Sequence, residues 1–189
     1  ITFAVLAGTY ADESGNISIE REAIRGETLA VAQACKNSGG TVIVQVENVV
    51  ATGSLDPMKV EIPSILVDAV VVVSDMKNHM QTFNTQYNPG FSGEHRLGAS
   101  AFTPAEMGPK KIIARRAAME LKKGSVVNLG IGIPEYISNV ATEEGILDHF
   151  TLTVESGTTG GSPQSGLDFG VSLNPETIIS QPSMFDFYQ

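Results

Sequence analysis

The sequence predicts an α/β protein whose sheets are open and largely parallel. An apolar run opens the chain, a helix-spaced segment follows, and two β-branched runs come next, at 41–50 and 66–74. Strand, helix and strand in this order are typical of βαβ units. A second series of strand, glycine turn, helix and strand spans 125–155. The composition agrees, because 19 glycines stand beside only eight Phe, four Tyr and no Trp. With 189 residues, the chain is long enough to bury a sizeable core.

The first half of the chain begins with a strand, a turn and a second strand. An apolar run precedes "DESGN", a cluster of turn-forming residues at 12–16, and the alternating "ISIE" follows. Five residues then recur at helical spacing before Gly39 and Gly40 end the helix: Ile24, Thr28, Val31, Ala32 and Cys35. Cys35 lies on the apolar side and is interpreted as core. As the only cysteine, it excludes an internal disulfide framework and favours a reducing, cytoplasmic compartment.

The polar, turn-rich stretch at 75–107 has no sustained period and is predicted to connect two domains. The domains are predicted at 1–74 and 108–189. The second begins with a helix between Pro109 and Gly124, whose apolar face is assigned to Ile112, Ile113, Ala117 and Leu121. Six basic residues of this segment are expected to form a solvated face: Lys110, Lys111, Arg115, Arg116, Lys122 and Lys123.

Charge and motif content exclude several classes of function. A net charge of -9 argues against nucleic acid and anionic membrane as partners. The longest apolar region, 64–74, is interrupted by Asp68 and is too short to span a membrane. The histidines, His79, His95 and His149, lack metal-ligand spacing, so no metal is expected. A G-x-S-x-G elbow, the mark of many serine hydrolases, does not occur.

The turn "NLGIGIP" at 128–134 joins a predicted strand to a predicted helix, with Pro134 in the first helical turn. Its glycines allow backbone N–H groups to approach a phosphate or a carbonyl oxygen, although a tight turn without a ligand explains them equally well. Glu135 stands where a dinucleotide fingerprint needs a small residue. A carboxylate there would oppose a pyrophosphate, which excludes a nicotinamide site.

Glu155 ends the apolar run "TLTVE" and precedes a loop rich in Gly, Ser and Thr. Such a residue is usually an exposed turn residue. However, its strand is expected beside the strand that leads into the glycine turn, because consecutive βαβ strands tend to be neighbours. Open α/β sheets bind ligands at the carboxyl ends of their strands. Glu155 and the glycine turn are therefore expected to share one crevice.

Several segments together resemble the family I CoA-transferases, and the single-chain propionate or acetate group in particular. They are "GTYADESGNIS", "NPGFSGEHR", "VVNLGIGIPE", "TLTVESG", "GLDFG" and "QPSMFDFY". The resemblance covers nearly the whole chain. It implies two related open, largely parallel α/β domains of the CoA-transferase type, each incomplete here. Residues 1–74 would be the back part of the alpha-subunit-like domain, and residues 108–189 the front part of the beta-subunit-like domain.

In that family the glutamate of the E-[SN]-G motif, which maps onto Glu155, is the nucleophile. The resemblance implies a ping-pong reaction through an acyl-glutamyl anhydride and a glutamyl-CoA thioester, with no metal or permanently bound cofactor. Coenzyme A is then both substrate and covalent intermediate. The residues implied to bind it and the acyl group are Asn128, Gly130, Gly132, Ile133, Pro134 and Gly157. Short-chain acids such as acetate, propionate, butyrate or acetoacetate would be the partners.

Two other hypotheses remain open at this stage: a sugar-phosphate isomerase, and a non-catalytic ligand sensor of a related fold. The preferred acid and the oligomeric state are not determined by the sequence, although family members are usually homodimers or homotetramers. Both natural ends are expected to lie outside these 189 residues. A chain limited to them is expected not to turn over, because the family's later glycine-rich segments help to form the oxyanion site.

Overall fold

The computed structural model describes residues 1–98, 102 and 104–184. Within them the chain forms a five-stranded sheet, a four-stranded sheet and a two-stranded ribbon. The predicted α/β class is confirmed, and three strand pairs are parallel. The remaining pairs are antiparallel, so the sheets are mixed.

The first sheet has the strand order β4-β2-β1-β3-β5. Its strands are β1 (Phe3–Asp12), β2 (Ile17–Ser18), β3 (Thr41–Val50), β4 (Val60–Ile62) and β5 (Ala69–Val72). The central strand β1 runs parallel to β3, and β3 runs parallel to β5, as the two β-branched runs predicted. Burial is one-sided: Val42, Val44 and Val46 are fully buried, whereas Val71 is half exposed.

The predicted turn between β1 and β2 is held by one carboxylate. Asp12 accepts hydrogen bonds from the side chain of Asn16 (3.0 Å) and from the backbone N–H groups of Asn16 (2.9 Å) and Ser14 (3.0 Å). The side-chain bond from Asn16 is the main reason that the pKa of Asp12 lies below its usual value. This short-range network accounts for the sharp reversal that the sequence indicated.

Helix α1 (Thr28–Asn37) packs on β1 and β3 through the buried residues Ala32 and Cys35. The interpretation of Cys35 as core is confirmed. The predicted inclusion of Ile24 in the helical face is wrong, because the helix begins only at Thr28. Gly26, with φ of 57°, has a left-handed conformation that separates Ile24 from the helix.

The stretch 75–98 contains a short helix, α2 (Pro89–Ser92), and packs against the last part of the chain. Phe91 is buried with Val171 and Leu173. The side chain of Asn174 accepts from the N–H of Leu97 (2.8 Å) and donates to its carbonyl (2.9 Å). Residues 99–101 and 103, which belong to the predicted connection, lie outside the described residues.

The second sheet has the strand order β11-β8-β7-β6. Its strands are β6 (Val126–Asn128), β7 (Thr151–Thr153), β8 (Thr158–Thr159) and β11 (Thr177–Ile178). Strands β9 (Ser162–Pro163) and β10 (Ser172–Leu173) form the ribbon. Helices α3 (Pro109–Ala118) and α4 (Tyr136–Glu143) pack on each other beside β6 and β7. Six single 3₁₀ turns complete the described elements: Pro57–Lys59, Ser64–Leu66, Met76–Asn78, Leu147–His149, Gly166–Asp168 and Gln181–Ser183.

The face that α3 buries differs from the prediction. Ile112 and Ile113 are 60% and 49% exposed, whereas Lys111 is buried. Lys111 Nζ lies 2.5 Å from a carboxylate oxygen of Glu143 on α4 and donates to the Ala105 carbonyl (2.7 Å). Burial opposes the charge of Glu143, but the hydrogen bonds from Lys111 and the Ala105 N–H outweigh it and lower the pKa of Glu143. The expected solvated basic face is therefore wrong for Lys111.

Candidate active site at the ends of β6 and β7

Strands β6 and β7 are parallel neighbours, as predicted for the strands that precede the glycine turn and Glu155. Asn128 pairs with Thr153 at the last position of the ladder, and the Leu129 N–H continues the pairing by donating to the Thr153 carbonyl (2.9 Å). The Thr153 hydroxyl donates to the Asn128 side-chain oxygen (3.2 Å). Main-chain and side-chain hydrogen bonds thus join the carboxyl ends of β6 and β7. The turns that follow these two strands are therefore adjacent.

Glu155 lies in the turn that links β7 to the antiparallel strand β8. The turn is tight, because the Gly157 N–H donates to the Val154 carbonyl (3.2 Å) and the Val154 N–H donates to the Thr158 carbonyl (3.2 Å). Leu152 and Val154 are buried beneath it, while Glu155 is partly exposed. Among the described residues, no hydrogen bond or ion pair engages the Glu155 carboxylate. A fixed backbone therefore presents a carboxylate that is open to a ligand.

Gly157 occupies a position that no other residue can take without a shift of the backbone. Its φ is 112°, and a Cβ placed there would lie 1.9 Å from the carbonyl oxygen of Ile179. The Ile179 N–H in turn donates to the Gly157 carbonyl (3.0 Å). The close approach of these two backbones fixes the end of the turn that carries Glu155. Gly157 was predicted as a binding residue, and that role stays a prediction. The geometry shows that a glycine is needed here for the close contact with Ile179.

The glycine turn runs from Leu129 to Glu135 and is open on its outer side. A Cβ added at Gly130 or Gly132 would meet no heavy atom within 4 Å, and Gly132 has φ of 96°. Within the described part of the chain, the N–H groups of Gly130, Ile131 and Ile133 have no hydrogen-bond acceptor. Such N–H groups are available to an oxyanion. The predicted residues Asn128, Ile133 and Pro134 are exposed here, and Pro134 lies two residues before α4, which begins at Tyr136, rather than inside its first turn.

Glu135 contributes a buried carboxylate that the sequence reasoning used only to exclude a dinucleotide. Its side chain accepts from the N–H of Gly132 (3.3 Å) and from the N–H of Gly166 (3.2 Å). The three-residue spacing from Gly132 to Glu135 is that of a capping box, in which a glutamate reaches back to a free N–H at a helix start. That spacing is a signal from which the contact to Gly132 could have been predicted. The contact to Gly166 has no comparable local signal.

The segment Gly166–Gly170 bridges the two turns. Its first residue donates to Glu135, and its last residue, Gly170, accepts a hydrogen bond from the hydroxyl of Ser156, next to Glu155. Between them, Asp168 accepts from the side chains of Thr82 and Asn84. The segment thus ties the glycine turn, the Glu155 turn and the 75–98 stretch together.

A cleft of about 970 Å³ elsewhere in the described residues does not include Glu155 among its lining residues. It lies between the stretch before α3, one face of α4 and residues 162–168. Its partly buried carboxylate, Glu143, is already paired with Lys111. We therefore place the candidate site at the strand ends. The described residues contain no cluster of three or more His, Cys, Asp or Glu arranged to hold a metal, and none of their helices could cross a membrane.

Comparison with known proteins shows which proteins this chain resembles. Residues 1–73 match the family described as Coenzyme A transferase. Over 98% of its length the chain is 49% identical to a caffeate CoA-transferase from Acetobacterium woodii and 39% identical to the acetate CoA-transferase YdiF from Escherichia coli O157:H7. It spans 35% and 34% of these relatives, about a third of their length.

Solved structures agree over the same range. The crystal structure of the Escherichia coli O157:H7 YdiF apoenzyme superposes on 98% of this chain with a TM-score of 0.80 and 36% identity, and the chain covers 34% of it. A YdiF structure described as a thioester complex with CoA has a TM-score of 0.79 and 37% identity, with 35% of that chain covered. The chain is therefore similar, over 98% of its length, to about a third of two named CoA-transferases, and its residues 1–73 match the Coenzyme A transferase family.

Proposed function

We propose that the complete gene product containing this sequence is a CoA-transferase that moves CoA from an acyl-CoA to a free carboxylic acid, with Glu155 as nucleophile. The observation that carries the proposal is the carboxylate of Glu155, which has no hydrogen-bond or ion-pair partner in the part of the chain that the structure describes. Hydrogen bonds and the Gly157–Ile179 contact fix its backbone. The open N–H groups of the glycine turn follow the neighbouring strand.

The proposed reaction exchanges one thioester for another. The Glu155 carboxylate attacks the acyl-CoA carbonyl and the C–S bond breaks, giving an acyl-glutamyl anhydride and CoA thiolate. The thiolate then attacks the glutamyl carbonyl. The C–O bond to that carbonyl breaks, the first acid leaves with its carboxylate, and a glutamyl-CoA thioester remains. A second carboxylate reverses both steps, so no ATP or redox partner is consumed.

The residues around Glu155 suit these steps. A carboxylate is a weak nucleophile in water, and the fixed turn decreases the entropy lost when it meets the thioester. Each attack produces a tetrahedral oxyanion. The N–H groups of Gly130, Ile131 and Ile133 would offer donors to it without reorganisation. The substrates are proposed to be short-chain acyl-CoAs and acids, and caffeate joins the test panel because a relative is named for it.

The experiment is an intact-mass measurement under denaturing conditions, before and after incubation with acetyl-CoA. We expect one CoA less one water to be added to the protein, since the thioester forms with formal loss of water. E155Q should abolish the addition while keeping nearly the same side-chain shape. E120Q is the matched control, because the side chain of Glu120 lies on the surface, 69% exposed, and its carboxylate forms an ion pair with Arg116.

Each outcome separates the hypotheses. Covalent addition that depends on Glu155 supports the transferase. Reversible acyl-CoA binding without covalent addition, unchanged in E155Q, would contradict it in favour of a ligand sensor. Turnover of a sugar phosphate without CoA would favour the isomerase.

A further inference from the structure

Glu135 is a buried acid that takes no part in the covalent steps proposed for Glu155. Only 5% of its surface is exposed, and no basic side chain pairs with it among the described residues. A buried carboxylate without a cation is costly unless N–H donors compensate its charge. The donors here are two glycine N–H groups from separate loops, Gly132 and Gly166.

The positions of these two glycines give the carboxylate a geometric effect. Gly132 is in the middle of the glycine turn, with a left-handed φ and open space where a side chain would stand. Gly166 begins the segment that ends at Gly170, where the Ser156 hydroxyl binds. One carboxylate therefore joins the turn that carries the open N–H groups to the segment that contacts the turn of Glu155.

Resting on the function proposed above, we infer that Glu135 is a positioning residue of the transferase. By occupying the N–H of Gly132, its carboxylate fixes the peptide orientation of the glycine turn. The neighbouring N–H groups of Gly130, Ile131 and Ile133 then point away from the protein and towards the reacting carbonyl. Through Gly166 the same carboxylate fixes the spacing between this turn and Glu155. Glu135 itself does not touch the substrate.

Replacement of the carboxylate by an amide tests this directly. E135Q keeps the size of the side chain but offers only one oxygen, so its NH₂ group must face one of the two glycine N–H donors. One loop is then released while the other stays bound. Because misplacement by about 1 Å costs up to about 100-fold in rate, we expect E135Q to lower kcat and the rate of thioester formation by about 10- to 100-fold. The KM for acyl-CoA should change less than kcat, because the lost stabilisation is that of the transition state.

The measurements are made on the complete gene product, with steady-state exchange and rapid-quench intact mass. E47Q is the control, since Glu47 is buried to the same degree, with 6% exposed, but lies in the first sheet paired with Arg21. It should decrease thermal stability and leave the rate of the folded protein unchanged. A slower E135Q with an unchanged E47Q supports the inference.

Wild-type kcat in folded E135Q would overturn it and leave Glu135 as a structural residue only. If E135Q does not fold, E135D decides, because aspartate keeps the charge but is too short to reach both loops: slower thioester formation supports the inference, and a wild-type rate overturns it. Failure of the unsubstituted protein to capture CoA at Glu155 would instead reject the proposed function, and this inference with it.

Discussion

Replacement of Gly157 by alanine tests the account of the Glu155 turn most directly. At φ of 112°, the alanine would be held in a region that L-residues rarely occupy, at a cost of about 1–3 kcal/mol. Its Cβ would also lie 1.9 Å from the Ile179 carbonyl oxygen, a backbone atom that cannot rotate away. Overpacking of this kind costs about 1–3 kcal/mol. Together G157A should lose about 2–6 kcal/mol, a large share of the stability of a typical domain.

G39A is the matched control for this substitution. Gly39 also has a positive φ, 72°, but an added Cβ would meet no atom within 4 Å, so only the left-handed strain of about 1–2 kcal/mol applies. Urea unfolding followed by circular dichroism gives both free energies. Covalent CoA capture by G157A at low temperature then shows whether the turn still presents Glu155. A G157A protein as stable as G39A would refute the reasoning, because the contact with the Ile179 carbonyl oxygen would then cost nothing.

Two further predictions concern buried charge. K111M should decrease the free energy of unfolding by about 1–3 kcal/mol, because the partly buried carboxylate of Glu143 would lose its charged partner, and K111M/E143L should recover most of the loss in the same urea assay. The hydrogen bond from His79 to Glu22 raises the pKa of His79 against the opposing effect of burial. Because the pKa of His79 is higher in the folded protein, protonated His79 stabilises the fold. This stabilisation is complete below the unfolded pKa of about 6.5 and is lost as the pH rises through the folded pKa. The stability difference between wild type and H79Q should therefore shrink from about pH 6 to pH 9, and a constant difference would contradict the assignment.

Local signals were sufficient for much of the fold. The turn held by Asp12, the β-branched run of β3 and the Gly39 stop of α1 each depend on residues close together in the chain. The parallel pairing of β6 with β7 follows from the rule for consecutive strands, and this pairing predicts that Glu155 and the glycine turn lie at the same edge of the sheet.

Long-range contacts explain what the sequence could not predict. Apolar periodicity assigned Ile112 to the core side of α3, but Lys111 lies on the buried side and pairs with Glu143. Glu143 is 32 residues away in the chain, so no local pattern predicts this pair. The same holds for Glu135, whose contact with Gly166 crosses 31 residues. A pattern that identifies a chemical group does not identify the loop that it will bind.

The double anchoring of Gly166–Gly170 has a consequence for loop length. Its first residue is held by Glu135 and its last by Ser156, so the span between the anchors is set on both sides. An inserted residue would have to release one anchor or bulge outward at Asp168, which is itself engaged by Thr82 and Asn84. Natural variants of this protein should therefore keep this segment at five residues.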